Sequence, residues 1–295
     1  MQRCDIVCLG EILWDAVPRG LLPGGAPMNL AYHLARLGWT PWLVSSVGQD
    51  VLGDELLRRL GEWDIDTTLV RVDPLLPTGL VRVVLERGVP RYTILEGVAW
   101  DDIRLPAPPP AELASARALV FGSLAMRTSA NRACLEELLR ACPTAMKVFD
   151  VNLRAPWIDV PMVQALARRA DLVKVNDEEL GVLLGSAVAV DSLEAAARRL
   201  AATTDCPRLC VTAGAHGAGL LADGQWHWVQ AERVDVRDTI GAGDAFLSAV
   251  VDGVLRGDRS PAGILAAATR LAAFVAARDG ATPPYERDAA GNPRD

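Results

Sequence analysis

Short runs of apolar residues alternate with amphipathic helical patterns along most of the chain, and this alternation restricts the fold more than any other feature. Continuous apolar strands separated by helices are typical of a parallel sheet that is covered on both faces. The predicted strands are 4–9, 42–47, 118–121, 147–151, 172–175 and 208–212, and the predicted helices are 28–37, 51–60, 129–141, 161–169, 192–202, 242–256 and 261–278. The sequence therefore predicts an α/β fold with a mainly parallel central sheet.

Two segments, 12–17 and 80–95, read as strands that stand outside this alternation of strands and helices. The run at 79–95 turns at Arg87-Gly88 and returns, as a hairpin does. A few strands outside a parallel sheet are best explained as a small lid. We therefore expect one domain over residues 1–295, with a β-lid formed by 12–18 and 79–100.

Charge and composition exclude several classes of protein. A net charge of −7 gives no global positive field that would attract nucleic acid or an anionic membrane surface. No apolar run approaches the ~18 residues that a membrane-spanning helix needs. The six cysteines lack the spacing of a zinc site and are expected to be buried, reduced thiols. The composition predicts a cytoplasmic protein with no nucleic-acid or membrane partner.

The most informative motif is a glycine-rich turn, Gly241-Ala242-Gly243, that lies between a predicted strand at 233–236 and a long apolar helix. Glycine lets the backbone approach a ligand, and the first amides of a helix carry free N–H groups at its positive end. Asp244 follows at that end, which favours the ionised form of a carboxyl group. The motif thus predicts a phosphate site beside a base, as phosphoryl transfer needs. An ordinary helix start is the alternative, although it leaves the two glycines unexplained.

Other nucleotide-binding motifs are excluded by inspection. A P-loop needs a lysine after a glycine, but the two lysines of the chain, Lys147 and Lys174, follow Met146 and Val173. The His-Arg-Asp loop of eukaryotic-type protein kinases is absent from the sequence. A dinucleotide-binding fingerprint needs a third glycine where Phe246 stands. A nicotinamide-dependent oxidoreductase is therefore disfavoured.

A second polar constellation precedes and opens the first predicted helix. Gly24, Gly25 and Asn29 would place backbone N–H groups and an amide at the ligand-binding edge of the sheet, and Asp15 lies shortly before them. An Asp and an Asn in one cleft offer acceptors and donors to vicinal hydroxyls. The constellation is therefore suited to a polyhydroxylated ligand, whereas ordinary helix capping explains each residue taken singly.

Together these motifs resemble those of the PfkB, or ribokinase-like, carbohydrate kinases, in the expected order over most of the chain. The C-terminal motif of the family resembles Asp238-Thr-Ile-Gly-Ala-Gly-Asp244. The resemblance continues in Gly24-Gly25, Asn29-Leu-Ala-x-x-Leu-Ala-x-Leu-Gly38, Val47-Gly48-x-Asp50-x-x-Gly53, Phe149-Asp-Val-Asn-Leu-Arg-x-Pro-Trp157, Lys174-Val-Asn-Asp-Glu-Glu179 and Val211-Thr-x-Gly-x-x-Gly217. Glu11-Ile-Leu-Trp-Asp15, Pro77-Thr-Gly79 and Asn152-Leu-Arg154 further resemble the bacterial fructokinases. The implied fold is a three-layer sandwich with a small β-lid.

The resemblance implies a role for each candidate residue. Asp244 would deprotonate the terminal hydroxyl of the sugar, and the amides of 241–243 would stabilise the transferring γ-phosphoryl group. Asn176 and Glu179 match an Asn-x-x-Glu motif that organises Mg²⁺, mainly through water, although a polar helix start is an alternative. The remaining sets are Thr212, Gly214 and Gly217 for the nucleotide; Asp238, Ile240 and Gly280 for K⁺; and Asp15, Gly24, Gly25, Asn29 and Arg154 for the sugar.

The resemblance therefore implies a kinase that uses ATP, Mg²⁺ and K⁺ and phosphorylates fructose to fructose 6-phosphate. The alternatives are 2-keto-3-deoxygluconate, ribose or a nucleoside as acceptor, and a catalytically silent sugar or nucleotide sensor. Residues 265–273 are mostly small and apolar and give no side chain that can be assigned to selection of the nucleobase, and His216 is expected to face solvent. We expect a homodimer, because pairing with a second copy would cover the strand edges of the lid.

Overall fold

The computed structural model describes residues 3–17, 20–86, 89–288 and 291–294. The chain divides into two compact units, Met1–Leu119 with Ala125–Ala145 and Val120–Leu124 with Met146–Asp295. The predicted turn at Arg87-Gly88 and the last residue of the segment 12–18 lie outside the described residues.

The first unit contains a parallel set of strands built around one fully buried strand. Its elements are β1 (Ile6–Leu9), β2 (Leu13–Val17), β3 (Gly20–Gly24), α1 (Ala26–Arg36), β4 (Pro41–Gly48), α2 (Val51–Glu62), β5 (Val70–Asp73), β6 (Gly79–Glu86), β7 (Val89–Ile94), the start of β8 (Ala118–Gly122) and α3 (Ser129–Ala141). β4 pairs in parallel with β1 and β5. All eight residues of β4 are buried, as expected of a strand that is covered on both faces.

A separate four-stranded sheet in the first unit has the order β3-β2-β6-β7. β2 pairs in parallel with β6, while β2–β3 and β6–β7 are antiparallel. The sheet confirms that the two segments outside the alternation form strands of their own. β3 was not predicted from the sequence, whereas the predicted strand residues 80–95 correspond to β6 and β7.

Asp50 links two motifs of the first unit, the one that ends at Gly53 and the one that contains Thr78. Its carboxylate caps α2 by accepting the Gly53 amide at 2.8 Å, and it also accepts the Thr78 amide at 2.8 Å. The Thr78 hydroxyl donates to the same carboxylate at 2.6 Å. These bonds fix the start of α2 against the residue that precedes β6.

Trp100 packs in the interior of the first unit. Its side chain is fully buried, and the guanidinium carbon of Arg127 lies 3.9 Å from the ring centroid. Arg127 also forms an ion pair with Asp101 at 2.7 Å. The pair Trp100-Asp101 therefore has a packing role after the four-stranded sheet.

The second unit contains the end of β8 and a further series of strands and helices. These elements are β9 (Met146–Asp150), α4 (Val160–Ala167), β10 (Leu172–Asn176), α5 (Asp177–Leu184), α6 (Leu193–Thr204), β11 (Arg208–Thr212), β12 (Ala218–Ala222), β13 (Gln225–Val229), α7 (Ala242–Arg256), α8 (Pro261–Ala276), β14 (Glu286–Arg287) and β15 (Pro293–Arg294). Its strands have the order β13-β12-β11-β10-β9-β8. β9, β10 and β11 are parallel, whereas β12 and β13 continue the sheet as an antiparallel hairpin. The predicted α/β class is confirmed.

One predicted strand of the second unit is wrong. Residues 230–239 are all described and contain no strand. Val234 and Val236 in this segment are 38% and 62% exposed. The apolar character that suggested a buried strand therefore belongs to a surface segment.

The helices and thiols agree with the expectations from composition. All six cysteines are free and buried. Across the described parts of the chain, none of the helices combines the length and the apolar character that crossing a membrane requires.

Candidate active site

The first turn of α7 brings the glycine-rich motif and its acid together. Gly241 caps the helix with a positive φ of 77°, and a Cβ at this position would lie 2.6 Å from the Cα of Ala281. Glycine is therefore required both for the left-handed backbone and for the space. Asp244 follows in the first turn and is 9% exposed, where the positive end of the helix favours its carboxylate form.

The amides predicted to bind a phosphoryl group lie in this turn, and one of them already has a hydrogen-bond acceptor in the protein. The first amides of an α-helix have no acceptor within the helix. The Ala242 amide here donates to the carbonyl oxygen of Thr239 at 3.3 Å, which is a long bond. A phosphate oxygen would compete with this carbonyl for the Ala242 amide.

A cavity of about 540 Å³ in the second unit includes this turn in its wall. The residues predicted for the nucleotide also contribute to the wall. Its lining includes Thr212, Gly214, Gly217, Thr239, Ala242 and Gly243. The structure therefore brings the predicted nucleotide residues together with the glycine-rich turn around one cavity, whose volume suits a bound small molecule.

The rest of the cavity wall is largely apolar. Val234, Val236 and Phe246 line it together with Ala272 and Ala276. An apolar wall suits the ring of a nucleobase. The contribution of 233–236 was not predicted, because that run was assigned to a strand.

Thr269 and His216 are two polar residues in the segments that line this cavity. The Thr269 hydroxyl donates to the Leu265 carbonyl of its own helix at 2.9 Å. His216 is exposed in a short 3₁₀ turn, as expected. Thr269 lines the cavity, but its hydroxyl group donates its hydrogen bond to the backbone of α8.

Asn176 and Glu179 form a capping box at the start of α5. The Glu179 amide donates to the Asn176 side chain at 2.7 Å, and the Glu179 carboxylate accepts the Asn176 amide at 2.8 Å. The other Glu179 oxygen accepts the Leu153 amide at 2.9 Å. Burial raises the pKa of Glu179, and Lys174 opposes this effect. Since both carboxylate oxygens already accept amides, the pair fits Mg²⁺ held through water better than direct ligation.

A buried ion pair lies beside this capping box. Lys174 Nζ donates to Asp150 Oδ1 at 3.1 Å, and each side chain is 7% exposed. The pair joins β10 to β9, where the two residues are directly opposite in register. The sequence analysis included both residues in motifs but gave neither a role.

Arg154 comes directly after Leu153, whose amide donates to the Glu179 carboxylate. Its side chain is exposed, and its guanidinium donates to the carbonyl oxygen of Leu153 at 3.0 Å. Its proposed support of phosphate or sugar stays a prediction.

Asp238 brings the three residues predicted for a monovalent cation together. Its Oδ1 accepts the Ile240 amide at 3.0 Å, and its Oδ2 accepts the Gly280 amide at 3.2 Å. Among the described residues no group of three or more His, Cys, Asp or Glu side chains could hold a metal ion. A single carboxylate is compatible with a weakly held, oxygen-ligated cation rather than with a tightly bound metal ion.

Four of the five residues predicted for the sugar, Asp15, Gly24, Gly25 and Asn29, lie in the first unit, whereas Arg154 lies in the second. A Cβ on Gly24 would overlap the carboxylate of Asp15, and one on Gly25 would overlap the carbonyl oxygen of Glu11. Gly25 caps α1, and Asn29 lies in the first turns of that helix with 3% exposure. The two glycines therefore let an acid and an amide share one small region between β2 and α1.

Comparisons with known proteins match this architecture over nearly the whole chain. The model of the pfkB family of carbohydrate kinases matches residues 15–288. A fructokinase of Klebsiella pneumoniae is 32% identical over 261 residues, which are 83% of this chain and 83% of that protein.

Solved structures of fructokinases share the fold. The Xylella fastidiosa fructokinase with bound ATP has a TM-score of 0.82 and 25% identity, covering 94% of each chain. A double mutant of the Vibrio cholerae fructokinase, solved with fructose, ADP and a potassium ion, has a TM-score of 0.78 and 25% identity. That match covers 95% of this chain and 94% of the other. The ribokinase-like fold predicted from the motifs is confirmed.

Proposed function

Because the chain belongs to the pfkB family of carbohydrate kinases, and so is an ATP-dependent sugar kinase, we propose that it phosphorylates fructose to fructose 6-phosphate. One observation carries the proposal: Asp244 stands in the first turn of α7, next to amides that line a cavity of about 540 Å³. The similarity to several fructokinases favours fructose as the acceptor.

Asp244 is proposed as the base. Its carboxylate would accept the proton of the attacking sugar hydroxyl, and the amides of Gly241, Ala242 and Gly243 would stabilise the negative charge on the transferring group. The backbone of Gly241 sets the position of these amides at the start of the helix, and the Ala242 amide would exchange its long bond to the Thr239 carbonyl for a phosphate oxygen when the nucleotide binds. Donors that are in place once the nucleotide is bound lower the barrier of the transfer itself.

The nucleotide would occupy the cavity with its phosphates towards the first turn of α7. Thr212, Gly214 and Gly217 lie in the wall of that cavity and are proposed to contact the nucleotide. Mg²⁺ bound with ATP would offset the phosphate charge, and Asn176 and Glu179 would hold its water ligands. K⁺ would be held by Asp238 and the carbonyl groups near Ile240 and Gly280.

The sugar would be bound by Asp15 and Asn29, with Gly24 and Gly25 giving its hydroxyls access to the backbone. Carboxylate and amide groups can accept and donate hydrogen bonds to neighbouring hydroxyls. Arg154 is proposed to support the phosphate or the sugar.

Steady-state assays with ATP and a panel of acceptors test the proposal. We expect turnover with fructose to exceed turnover with ribose, 2-keto-3-deoxygluconate or a nucleoside, and NMR of the product should show a phosphate at position 6. A preference for another acceptor would correct the substrate and leave the chemistry in place. Binding of ATP and sugar without product would instead support the sensor alternative.

Asp244→Asn tests the base. We expect kcat to fall by about 10²–10⁴-fold, the usual contribution of general-base catalysis, while ATP binding measured by calorimetry stays close to wild type. Asp258→Asn is the matched control because Asp258 is exposed just beyond the end of α7. Wild-type turnover in Asp244→Asn would refute the role of this carboxylate.

A further inference from the structure

Lys174 is a buried cation to which the proposed chemistry gives no role. It is one of two lysines in the chain and lies in β10 with 6% exposure. Its Nζ donates to Asp150 Oδ1 at 3.1 Å, and the parallel register sets the two residues side by side. A buried charge of this kind costs free energy unless it is paired, so Asp150 explains how the ammonium is tolerated. It does not explain where the ammonium points.

The ammonium of Lys174 lies against the first turn of α7. A Cβ built on Gly243 would be 3.2 Å from Lys174 Nζ and 3.9 Å from its Cε. Gly243 also lines the cavity proposed for the nucleotide. Lys174 Nζ therefore lies close to the turn that contributes Ala242 and Gly243 to the cavity wall, and the missing side chain of Gly243 leaves room for it.

Three acids keep Lys174 charged in spite of its burial. Burial lowers the pKa of Lys174, but Asp150, Glu179 and Asp244 act in the opposite direction and leave it raised. The ammonium therefore carries its charge throughout the neutral range. Inside a protein, where charges are poorly screened, a fixed cation acts on nearby phosphate groups more strongly than it would in water.

We propose that Lys174 is a positioning residue for phosphoryl transfer, whose ammonium supports the first turn of α7 and adds positive charge behind the amides that face the terminal phosphate. This inference rests on the proposed function of that turn. The added charge favours a nucleotide with one more phosphate, so it should strengthen binding of ATP over ADP. It should also stabilise the charge on the group in transfer. Asp150 acts through Lys174 by fixing the position of Nζ.

Four variants separate this role from simple packing. Lys174→Gln alone leaves Asp150 buried without its cation and is expected to lower Tm. The double variant Lys174→Gln with Asp150→Asn replaces the ion pair by two neutral side chains that can still hydrogen bond, and should recover most of that loss. Lys174→Arg keeps the charge. Lys147→Met is the matched control, because Lys147 is the other lysine of the chain and lies at the opposite end of β9 from Asp150.

The decisive measurement is the ratio of the dissociation constants of ADP and a non-hydrolysable ATP analogue, determined by calorimetry. We expect this ratio to fall at least fivefold in the double variant, while KM for fructose stays within twofold and kcat drops at least tenfold. In Lys174→Arg, which keeps the positive charge, the ratio of the two dissociation constants should lie between the values of the double variant and the wild type. Lys147→Met should match wild type in every measurement.

A folded double variant with a wild-type binding ratio and wild-type kcat would overturn the proposal and leave Lys174 a packing residue. If the double variant does not fold, Lys174→Arg decides, since retention of the ratio supports a role of charge and its loss contradicts it. The binding ratio needs no turnover. Absence of sugar phosphorylation by the wild-type protein would therefore refute the proposed function, while the ratio would still report on Lys174.

Discussion

Gly241 and Gly257 begin and end α7 with the same left-handed backbone, yet only one of them lies in a crowded position. Their φ values are 77° and 67°. A Cβ on Gly257 meets nothing within 4 Å, whereas one on Gly241 approaches the Cα of Ala281 at 2.6 Å. The two positions therefore separate the cost of backbone strain from the cost of displacing the first turn.

We expect Gly257→Ala to lower the free energy of unfolding by about 1–2 kcal/mol, the cost of a left-handed L-residue, with unchanged turnover. Gly241→Ala should lose more stability and reduce kcat/KM by about 10²-fold, because displacement of preorganised groups by about 1 Å has effects of that size. Urea denaturation and steady-state kinetics measure both. Equal stability losses with normal turnover in Gly241→Ala would contradict the crowding argument.

At the residue scale the sequence predicts contacts that lie within one motif better than contacts between motifs. Gly241 and Asp244 are read from a single turn, and the structure has them at the start of α7. The pairing of Lys174 with Asp150 joins residues 24 positions apart. It depends on the register of β9 and β10, which apolar runs do not specify to the residue because both faces are buried. A role for Lys174 therefore could not be derived before the structure.

At the element scale, long periodic segments are predicted well and short connections are not. The helices at 129–141 and 242–256 have their predicted bounds. The hairpin of β12 and β13 was missed, although Asp223-Gly224 between them has positive φ at both residues, as a two-residue hairpin turn requires. Residues 233–236 were assigned to a strand because apolar content alone does not distinguish a buried strand from the apolar wall of a cavity.

The loops before α7 and after α8 give a prediction at this scale, since Asp238 bonds to both of them through the amides of Ile240 and Gly280. We expect K⁺ to raise kcat of the wild type over choline buffer, and Asp238→Asn to reduce this stimulation at least fivefold because it removes the charged ligand. Titration of kcat with KCl at constant ionic strength measures the effect.

Asp279→Asn is the control for Asp238→Asn. Asp279 lies beside the same loop, but it is 60% exposed in a long ion pair with Arg237, so its removal should leave the response to K⁺ unchanged. Equal stimulation in all three proteins would contradict the cation site. That result would leave the kinase assignment unaffected.

At the scale of the whole molecule, the alternation of apolar runs and helices was sufficient to predict the α/β class, and the ordered motifs were sufficient to predict the family. The single domain over 1–295 stays a prediction, as does the action of the four-stranded sheet as a lid. Alternation indicates which segments are strands and helices. It carries no information on movement between parts of a chain.

The four-stranded sheet gives the last prediction, a homodimer formed through its strand edges. β3 is at one edge of this sheet, and its Leu21 is 44% exposed. An unpaired edge with an exposed apolar side chain favours association with a second copy. Burial of one leucine contributes roughly 1.5–3 kcal/mol, so Leu21→Lys should raise the dimer dissociation constant by at least about tenfold. Sedimentation velocity over a range of protein concentrations measures it.

Leu75→Lys makes the same substitution outside this sheet, because Leu75 is 89% exposed in the connection between β5 and β6. It should leave the dissociation constant unchanged. A wild-type protein that sediments as a monomer at every concentration would exclude the dimer. A dimer weakened equally by both variants would place the interface elsewhere on the surface, since a charge on the sheet edge would then have no specific effect.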